Sequence, residues 1–167
     1  MVNLQPKGGS LIVAKAQESK KKNVGIFALL SVALYVCYNT LMKKLIIGNW
    51  KMFPVSAKEA RETFTAIKKE AAVLRNVQTV VCPPFVYVGD LKKMVTGHRC
   101  VLGAQNAWTE EGGAYTGEVS PDMLMSLGIS YVIIGHSERR ALGETDELVN
   151  RKIHAAIKAG LTVVLCV

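Results

Sequence analysis

The sequence is poor in the residues that build disulfide-rich domains and zinc sites. It has four cysteines among its 167 residues, and no two of them form a CxxC pair; they are Cys37, Cys82, Cys100 and Cys166. A disulfide framework or a zinc site requires several cysteine or histidine ligands at short, regular spacing. We therefore expect free thiols in a reducing compartment, with neither a disulfide nor a metal site.

A stripe of positive charge is also missing, although the formal net charge is +8. Residues 1–42 carry five lysines and one glutamate, and residues 43–167 carry sixteen basic and twelve acidic residues, so each part contributes +4. In the longer part the basic residues are interleaved with acidic ones. This distribution argues against a nucleic-acid-binding surface and is compatible with the attraction of a small anionic metabolite.

One long apolar run lies near the N-terminus. Val24–Met42 contains nineteen residues without a charge and is flanked by lysines on both sides. Its length is marginal for a membrane-spanning helix, and no clear signal-peptide cleavage site follows it. Two interpretations stay open: a membrane anchor, or an extension, residues 1–41, upstream of a start at Met42 and without a part in the chemistry. The lysine-rich residues 1–22 are predicted to be disordered.

From residue 43 onward, short apolar runs alternate with helical patterns. Five runs are continuously apolar, as in parallel strands covered on both faces; they are Leu45–Ile47, Thr79–Cys82, Cys100–Leu102, Tyr131–Ile134 and Thr162–Val167. Between the strands, Ser56 and Glu59 form a capping box. Ser120 precedes a proline at a helix start, and Glu144–Ala159 has one apolar face. This order predicts an α/β fold of right-handed strand–helix units.

The pattern alone does not distinguish a barrel from an open doubly wound sheet. An open sheet often has a GxGxxG fingerprint after its first strand, whereas the first strand here ends in Gly48-Asn-Trp-Lys51. The absence of the GxGxxG fingerprint favours a barrel over an open sheet. In a barrel of parallel strands, the side chains at the carboxyl ends of the strands form the active site.

Two predicted strands end in polar side chains suited to chemistry. The first leads into Asn49 and Lys51. Lys51 is suited to holding an anionic substrate and stabilising negative charge on oxygen, and Asn49 lies on the same side of the strand, where it could orient Lys51 or bind substrate. The alternative for Lys51 is a solvated loop lysine without a role.

The fourth predicted strand leads into His136 and a charged stretch. A histidine aimed at a helix N-terminus has its cationic form disfavoured, so it would act as a neutral hydrogen-bond donor; the alternative is a structural histidine in a turn. Glu138 is either a partner of Lys51 or a surface acid paired with an arginine. Arg139 and Arg140 either bind phosphate or form a structural ion-pair cluster.

A long loop, Ala107–Gly117, follows the third predicted strand and is rich in glycine and aromatic residues. A loop of this length in a compact domain is typically functional. We expect a lid over the site or an arm that reaches an interface.

From about Lys43 to Val167 the chain resembles the triosephosphate isomerase family. The resemblance rests on five motifs in the expected order and spacing: Asn49-Trp-Lys-Met52, Cys82-Pro-Pro84, Gly103-Ala-Gln-Asn106, Gly112-Gly-Ala-Tyr-Thr-Gly117 and Gly135-His-Ser-Glu-Arg-Arg140. It implies an incomplete TIM (β/α)8 barrel, with the first five parallel strands and their helices. It also implies an isomerase that interconverts dihydroxyacetone phosphate and glyceraldehyde 3-phosphate through an enediolate, without a cofactor.

The resemblance, and not the residues by themselves, assigns the finer roles. It places Asn49 and Lys51 at the substrate, makes His136 the neutral electrophile that polarises the carbonyl, and puts Glu138 near Lys51. It implies a cytoplasmic homodimer whose interface includes four residues of this chain: Tyr115, Thr116, Glu118 and Arg139. An organelle or a membrane, reached through Val24–Met42, is the alternative location.

One departure from the family is large. The family's general base is a glutamate after the sixth strand, and its phosphate-binding glycine-rich loops come later still, whereas the fifth predicted strand ends at Val167. We therefore expect residues 42–167 to be a partial barrel domain that is inactive by itself, with open edges on its first and fifth strands. The alternative is a non-catalytic, membrane-tethered half-barrel that acts as a binding or assembly module.

Overall fold

The alternation of strands and helices predicted from the sequence is confirmed. The structure, a computed structural model, describes residues 11–14 and 44–167. Its strands are β1 (Leu11–Ala14), β2 (Lys44–Asn49), β3 (Val77–Cys82), β4 (Cys100–Ala104), β5 (Tyr131–Ile134) and β6 (Thr162–Cys166). Its helices are α1 (Ala57–Val73), α2 (Phe85–Lys92), α3 (Pro121–Ser126), α4 (Ser137–Ala141) and α5 (Asp146–Lys158).

The strands form one sheet in the order β1-β6-β5-β4-β3-β2. The five strands β2 to β6 are all parallel and pair in sequence order, and one or two helices connect each strand to the next, from β2 to β6. The sheet curls, as in a (β/α)8 barrel that is partly built. The predicted fold class, an α/β incomplete TIM barrel, is therefore correct.

Both faces of the sheet are buried, which explains why its strands are continuously apolar. Along β3, Val80 belongs to the apolar cluster on the inner face, whereas Val81 packs with the helices on the other face, and both are at most 1% exposed. On the inner face, neighbouring strands come so close that a Cβ atom at Gly103 would lie 2.7 Å from the Cys82 sulfur. Only glycine fits that position of β4.

The helix starts follow the sequence signals. The Ser56 side chain accepts a hydrogen bond from the Glu59 N–H at the start of α1, and Ser120 caps α3 in the same way. The predicted helix Glu144–Ala159 is two residues shorter at its start, because Thr145 is the N-cap of α5 and accepts from the Leu148 N–H. The capping side chains thus fix the residues at which α1, α3 and α5 begin.

A buried ion pair connects α5 to the loop after β4. Lys152 is completely buried, and its Nζ lies 2.5 Å from Glu144 Oε1 and 3.0 Å from Asn106 Oδ1. Arg139 Nε also donates to Glu144 Oε1, at 2.7 Å. Burial raises the pKa of Glu144, but the hydrogen bonds from Lys152 and Arg139 outweigh it, so that the pKa lies below its ordinary value.

The cysteines of the described residues are free, as predicted. Cys82 and Cys100 are buried and Cys166 is half-buried, and none forms a disulfide. Burial raises the pKa of the Cys82 thiol to about 12. Cys37 lies outside the described residues.

The N-terminal segment corrects two expectations. Residues 11–14, predicted to be disordered, form β1, which pairs antiparallel with β6 in the register Leu11 with Cys166 to Ala14 with Val163. The fifth parallel strand therefore does not have an open edge. The physical reason is that an edge strand presents unpaired N–H and C=O groups, and a short extended stretch of the same chain can satisfy them.

The membrane interpretation concerns residues that the structure does not describe. Within residues 11–14 and 44–167, none of the helices has the length and apolar character needed to cross a bilayer. Val24–Met42 lies outside these residues.

Candidate active site

The polar residues singled out in the sequence meet at the carboxyl ends of the parallel strands. Asn49 is the last residue of β2, and Lys51 follows two residues later. Asn49 Oδ1 accepts a hydrogen bond from the Lys51 N–H at 2.9 Å. Lys51 has φ +55°, a left-handed conformation that is uncommon for residues other than glycine. Such a conformation costs about 1–3 kcal/mol and persists only where surrounding contacts determine it.

His136 follows β5 and forms the N-cap of α4. Its Nδ1 accepts a hydrogen bond from the Glu138 N–H at 3.2 Å. An accepting Nδ1 carries a lone pair, so the ring proton of the neutral form resides on Nε2, on the far side of the ring. The imidazole is 21% exposed, which leaves an edge of the ring open to a bound molecule.

Glu138 connects the two strand ends. Its Oε1 lies 2.6 Å from Lys51 Nζ, and its Oε2 lies 3.7 Å from His136 Nδ1. The hydrogen bond from Lys51 lowers the pKa of Glu138 below its ordinary value. The sequence left open whether Glu138 is a partner of Lys51 or a surface acid paired with an arginine; in the structure it pairs with Lys51.

Gln105 is a residue of this site to which the sequence analysis gave no role. It follows β4, and its Nε2 donates to the Lys51 carbonyl and to the Cys82 carbonyl, both at 2.8 Å. The Cys82 carbonyl also accepts from the Trp50 N–H at 3.0 Å. Its position directly after a predicted strand could have indicated that it belongs to the site. A glutamine amide, however, is neither acidic, basic nor nucleophilic, so its residue type gave no indication of a role.

The arginines after His136 form a structural ion-pair cluster. Arg140 donates through Nε to the Gly135 carbonyl at 3.0 Å and pairs with Asp146 at 2.5 Å, and Arg139 binds the buried Glu144. These contacts anchor the turn that carries His136. They select the structural alternative over phosphate binding for Arg139 and Arg140.

The loop Ala107–Gly117 is fixed at its base and exposed at its tip. The Trp108 N–H donates to the Val119 carbonyl, and the Trp108 ring lies 5.6 Å from the ring of Tyr115. From α5, Arg151 pairs with Glu110 at 3.1 Å and Lys158 pairs with Glu111 at 2.7 Å. Tyr115 is 43% exposed, and Thr116 and the glycines beside it are exposed as well.

A cavity of about 690 Å³ lies between this loop and α5. It is lined by charged residues that include Glu110, Arg151 and Lys158, and it shares no residue with the cluster of Lys51, Gln105 and His136. In the part of the chain that the structure describes, no three His, Cys, Asp or Glu side chains are grouped so that they could hold a metal ion.

The groups available at the strand ends are therefore a cation and an imidazole hydrogen-bond donor. Lys51 supplies a positive charge on a side chain that is 54% exposed, and His136, which follows β5, accepts from the Glu138 N–H through Nδ1, so that Nε2 is the donor. Such groups bind an anionic molecule and stabilise negative charge that develops on one of its oxygens.

Comparison with known proteins agrees with this geometry. A family model described as triosephosphate isomerase matches residues 44–167. The triosephosphate isomerase of Herpetosiphon aurantiacus is 46% identical over 128 residues, which cover 76% of this chain and 51% of that protein. That of Alkaliphilus oremlandii is 48% identical over 128 residues, covering 76% and 51%.

The chain spans about half the length of the curated relatives it matches, as a third example shows. The triosephosphate isomerase of Geobacter metallireducens is 47% identical over 124 residues, which cover 74% of this chain and 49% of that protein. The matched region contains every strand of the half-barrel from β2 to β6 and all of the strand-end residues described above. The chain belongs to the triosephosphate isomerase family.

Proposed function

We propose that this chain supplies the substrate-anchoring and carbonyl-polarising part of a triosephosphate isomerase site. The observation that carries the proposal is the convergence of Lys51, His136 and Glu138, with 2.6 Å between Lys51 Nζ and Glu138 Oε1. The substrate is a phosphorylated triose, and the reaction interconverts dihydroxyacetone phosphate and glyceraldehyde 3-phosphate by proton transfer through an enediolate. No cofactor is needed for this chemistry.

In this proposal Lys51 anchors the anionic substrate, with Asn49 beside it. The Lys51 ammonium is held by Glu138 before substrate arrives, so the cation is already oriented and loses little freedom on binding. As the enediolate forms, negative charge grows on the substrate oxygens, and a fixed positive charge stabilises it more than it stabilises the neutral carbonyl.

His136 polarises the substrate carbonyl as a neutral donor. Its Nδ1 accepts from the Glu138 N–H, so the Nε2–H is the group that faces a ligand. A neutral imidazole can give this proton to one enediolate oxygen and accept the hydroxyl proton of the adjacent oxygen, which transfers a proton between the two oxygens and restores the ring.

Glu138 is unsuited to the role of general base. Its carboxylate is engaged by Lys51, and the hydrogen bond that lowers its pKa also weakens it as a proton acceptor. We propose that the base is the glutamate that follows the sixth parallel strand in this family. That strand would come after β6, which is the fifth parallel strand here, so the glutamate lies outside residues 44–167. The three cysteines among the described residues are free, which fits a reducing compartment, and we propose a cytoplasmic location.

The proposal is tested by assaying two proteins with glyceraldehyde 3-phosphate. One is the 167-residue chain, and the other is the same chain extended by the later strand–helix units of the Herpetosiphon aurantiacus relative. We expect turnover from the extended chain and negligible turnover from the chain alone, because a general base contributes about 10²–10⁴-fold. A folded extended chain without isomerase activity would refute the proposed function, and comparable activity of both proteins would refute the assignment of the base.

We further propose that the extended chain is a homodimer and that the tip of the Ala107–Gly117 loop enters the partner subunit. The support is a loop whose base is pinned by two ion pairs while its tip exposes Tyr115 and Thr116. A loop held in this way loses little entropy on association. Glu118 and Arg139 would pair across the interface, with Arg139 using guanidinium nitrogens other than the Nε that binds Glu144.

Deleting residues 111–116 from the extended chain is expected to give monomers with weakened activity, measured by sedimentation velocity and isomerase assay. The same loss is expected, in milder form, from Tyr115→Ser. Val73→Ser is the matched control, because Val73 is an exposed apolar side chain, 73% exposed, at the end of α1. An unchanged dimer after the deletion would contradict the role of the loop.

A further inference from the structure

The backbone of Lys51 is held from both sides although its side chain is largely exposed. The side chain is 54% exposed, so packing does little to fix it. The Lys51 N–H donates to Asn49 Oδ1 at 2.9 Å, and its carbonyl accepts from Gln105 Nε2 at 2.8 Å. These two hydrogen bonds enclose a residue with φ +55°, a conformation that a lysine does not keep without support.

Gln105 connects three strand ends with one amide group. It follows β4, and its Nε2 donates equally to the carbonyl of Lys51, beyond β2, and to the carbonyl of Cys82, the last residue of β3. Because Cys82 belongs to the buried sheet, the amide holds the backbone of the exposed Lys51 at a fixed position relative to the sheet.

We propose that Gln105 is a positioning residue for the isomerase: its amide keeps Lys51 in the left-handed conformation that places Nζ against Glu138. The proposal deepens the proposed function and rests on it in one respect, the role of Lys51 as the substrate anchor. Gln105 itself touches backbone and not substrate. Without this amide, the Lys51 carbonyl loses its hydrogen-bond donor, and Lys51 can relax to a negative φ. That change alters the direction of the Cα–Cβ bond and moves Nζ away from Glu138.

A second glutamine provides a matched control. Gln78, in β3, also donates through Nε2 to two backbone carbonyls, those of Thr79 and Arg99, at 3.3 Å each. It is half-buried like Gln105, and its hydrogen bonds involve neither Lys51 nor His136. Gln105→Met and Gln78→Met each remove an amide that donates to two backbone carbonyls, and only the first removes a contact to Lys51.

The first experiment uses the 167-residue chain and NMR spectroscopy. A positive φ brings the amide and α protons of a residue close together, so Lys51 should show a strong intraresidue HN–Hα NOE. We expect this NOE to weaken in Gln105→Met and to persist in Gln78→Met. The pKa of the Glu138 carboxyl, lowered by Lys51, is expected to move back toward its ordinary value only in Gln105→Met.

A shorter side chain keeps the test decisive if Gln105→Met does not fold. Gln105→Asn retains an amide but is one methylene too short to reach both carbonyls, and it is expected to lose the Lys51 NOE as well. A folded Gln105→Met or Gln105→Asn with the wild-type NOE at Lys51 would overturn the proposal.

The second experiment measures kinetics in the extended chain. A displaced anchor is expected to raise KM and lower kcat, for a combined loss of roughly 10- to 100-fold in kcat/KM, the scale of a misplacement of about 1 Å. Gln78→Met is expected to leave both constants unchanged. If the extended wild type has no activity, the proposed function fails, whereas the NMR result still decides whether Gln105 positions Lys51. Wild-type kinetics in an active Gln105→Met enzyme would overturn the proposal.

Discussion

Glu144→Gln is expected to lower the free energy of unfolding of the 167-residue chain by about 3–5 kcal/mol, the cost of removing one partner from a buried ion pair. Lys152 is completely buried, and Glu144 Oε1 lies 2.5 Å from its Nζ. Without the negative charge, the ammonium retains only neutral partners: the glutamine amide oxygen, Asn106 Oδ1 and the Trp108 ring, 5.5 Å away. The measurement is urea denaturation at neutral pH.

The glutamine variant tests the charge with little change of shape. Glu144 Oε2 is buried and has no hydrogen-bond partner among the described residues, so the amide nitrogen can occupy its place without breaking a contact. Lys152→Met in the Glu144→Gln background is expected to recover part of the loss, because it removes the unpaired buried charge. A double variant no more stable than Glu144→Gln would show that the charge is not the cause.

Glu110→Gln is the matched control for the same helix. Its partner Arg151 is 61% exposed, and exposed pairs contribute about 0–1 kcal/mol. We therefore expect a change below about 1 kcal/mol. Similar losses in Glu110→Gln and Glu144→Gln would contradict the importance of burial.

The stability difference between wild type and Glu144→Gln is expected to depend on pH. The pKa of Glu144 is lowered in the folded chain, so the unfolded state binds the proton more readily, and the pair stabilises the chain fully above the ordinary carboxyl pKa of 4.5. The difference should shrink as the pH falls through the lowered pKa of the folded chain. A difference that grows on acidification would contradict this sign.

The strand ends show why much of the site was predictable. The parallel strands are buried on both faces, so a polar residue after an apolar run marks the point at which the chain leaves the core. Such runs are followed by four of the site residues: Asn49, Lys51, His136 and Glu138. The curled parallel sheet brings the carboxyl ends of the strands, and therefore these residues, together.

Other features depend on contacts that a linear pattern does not contain. Lys152 lies on the same helix face as the buried Val149 and Ala156, and this spacing was the available signal, but its partner Glu144 is known only from the structure. Gln105 acts through backbone carbonyls, which every residue has. The strand β1 is four residues long, and its residues pair with β6 residues 149 to 155 positions away in sequence, so neither periodicity nor neighbouring residues indicated it.

His136→Gln in the extended chain is expected to lower kcat by about 10²–10⁴-fold with little change in KM. In the proposed mechanism the histidine polarises the carbonyl and moves a proton between the substrate oxygens, and both contributions grow only as the enediolate forms. Glutamine fills a similar volume and can donate a hydrogen bond, but it cannot exchange a proton near neutral pH. The measurement is steady-state kinetics with glyceraldehyde 3-phosphate.

Two further variants separate the role of His136 from that of its neighbours. Ser137→Ala, at the exposed first residue of α4, is expected to leave kcat and KM unchanged. Lys51→Met is expected to raise KM as well as lower kcat, because the proposed anchor binds the substrate and stabilises the more negative transition state still further. A folded His136→Gln enzyme with wild-type kcat would show that the histidine is structural. Its hydrogen bond to the Glu138 N–H would then serve only to begin α4.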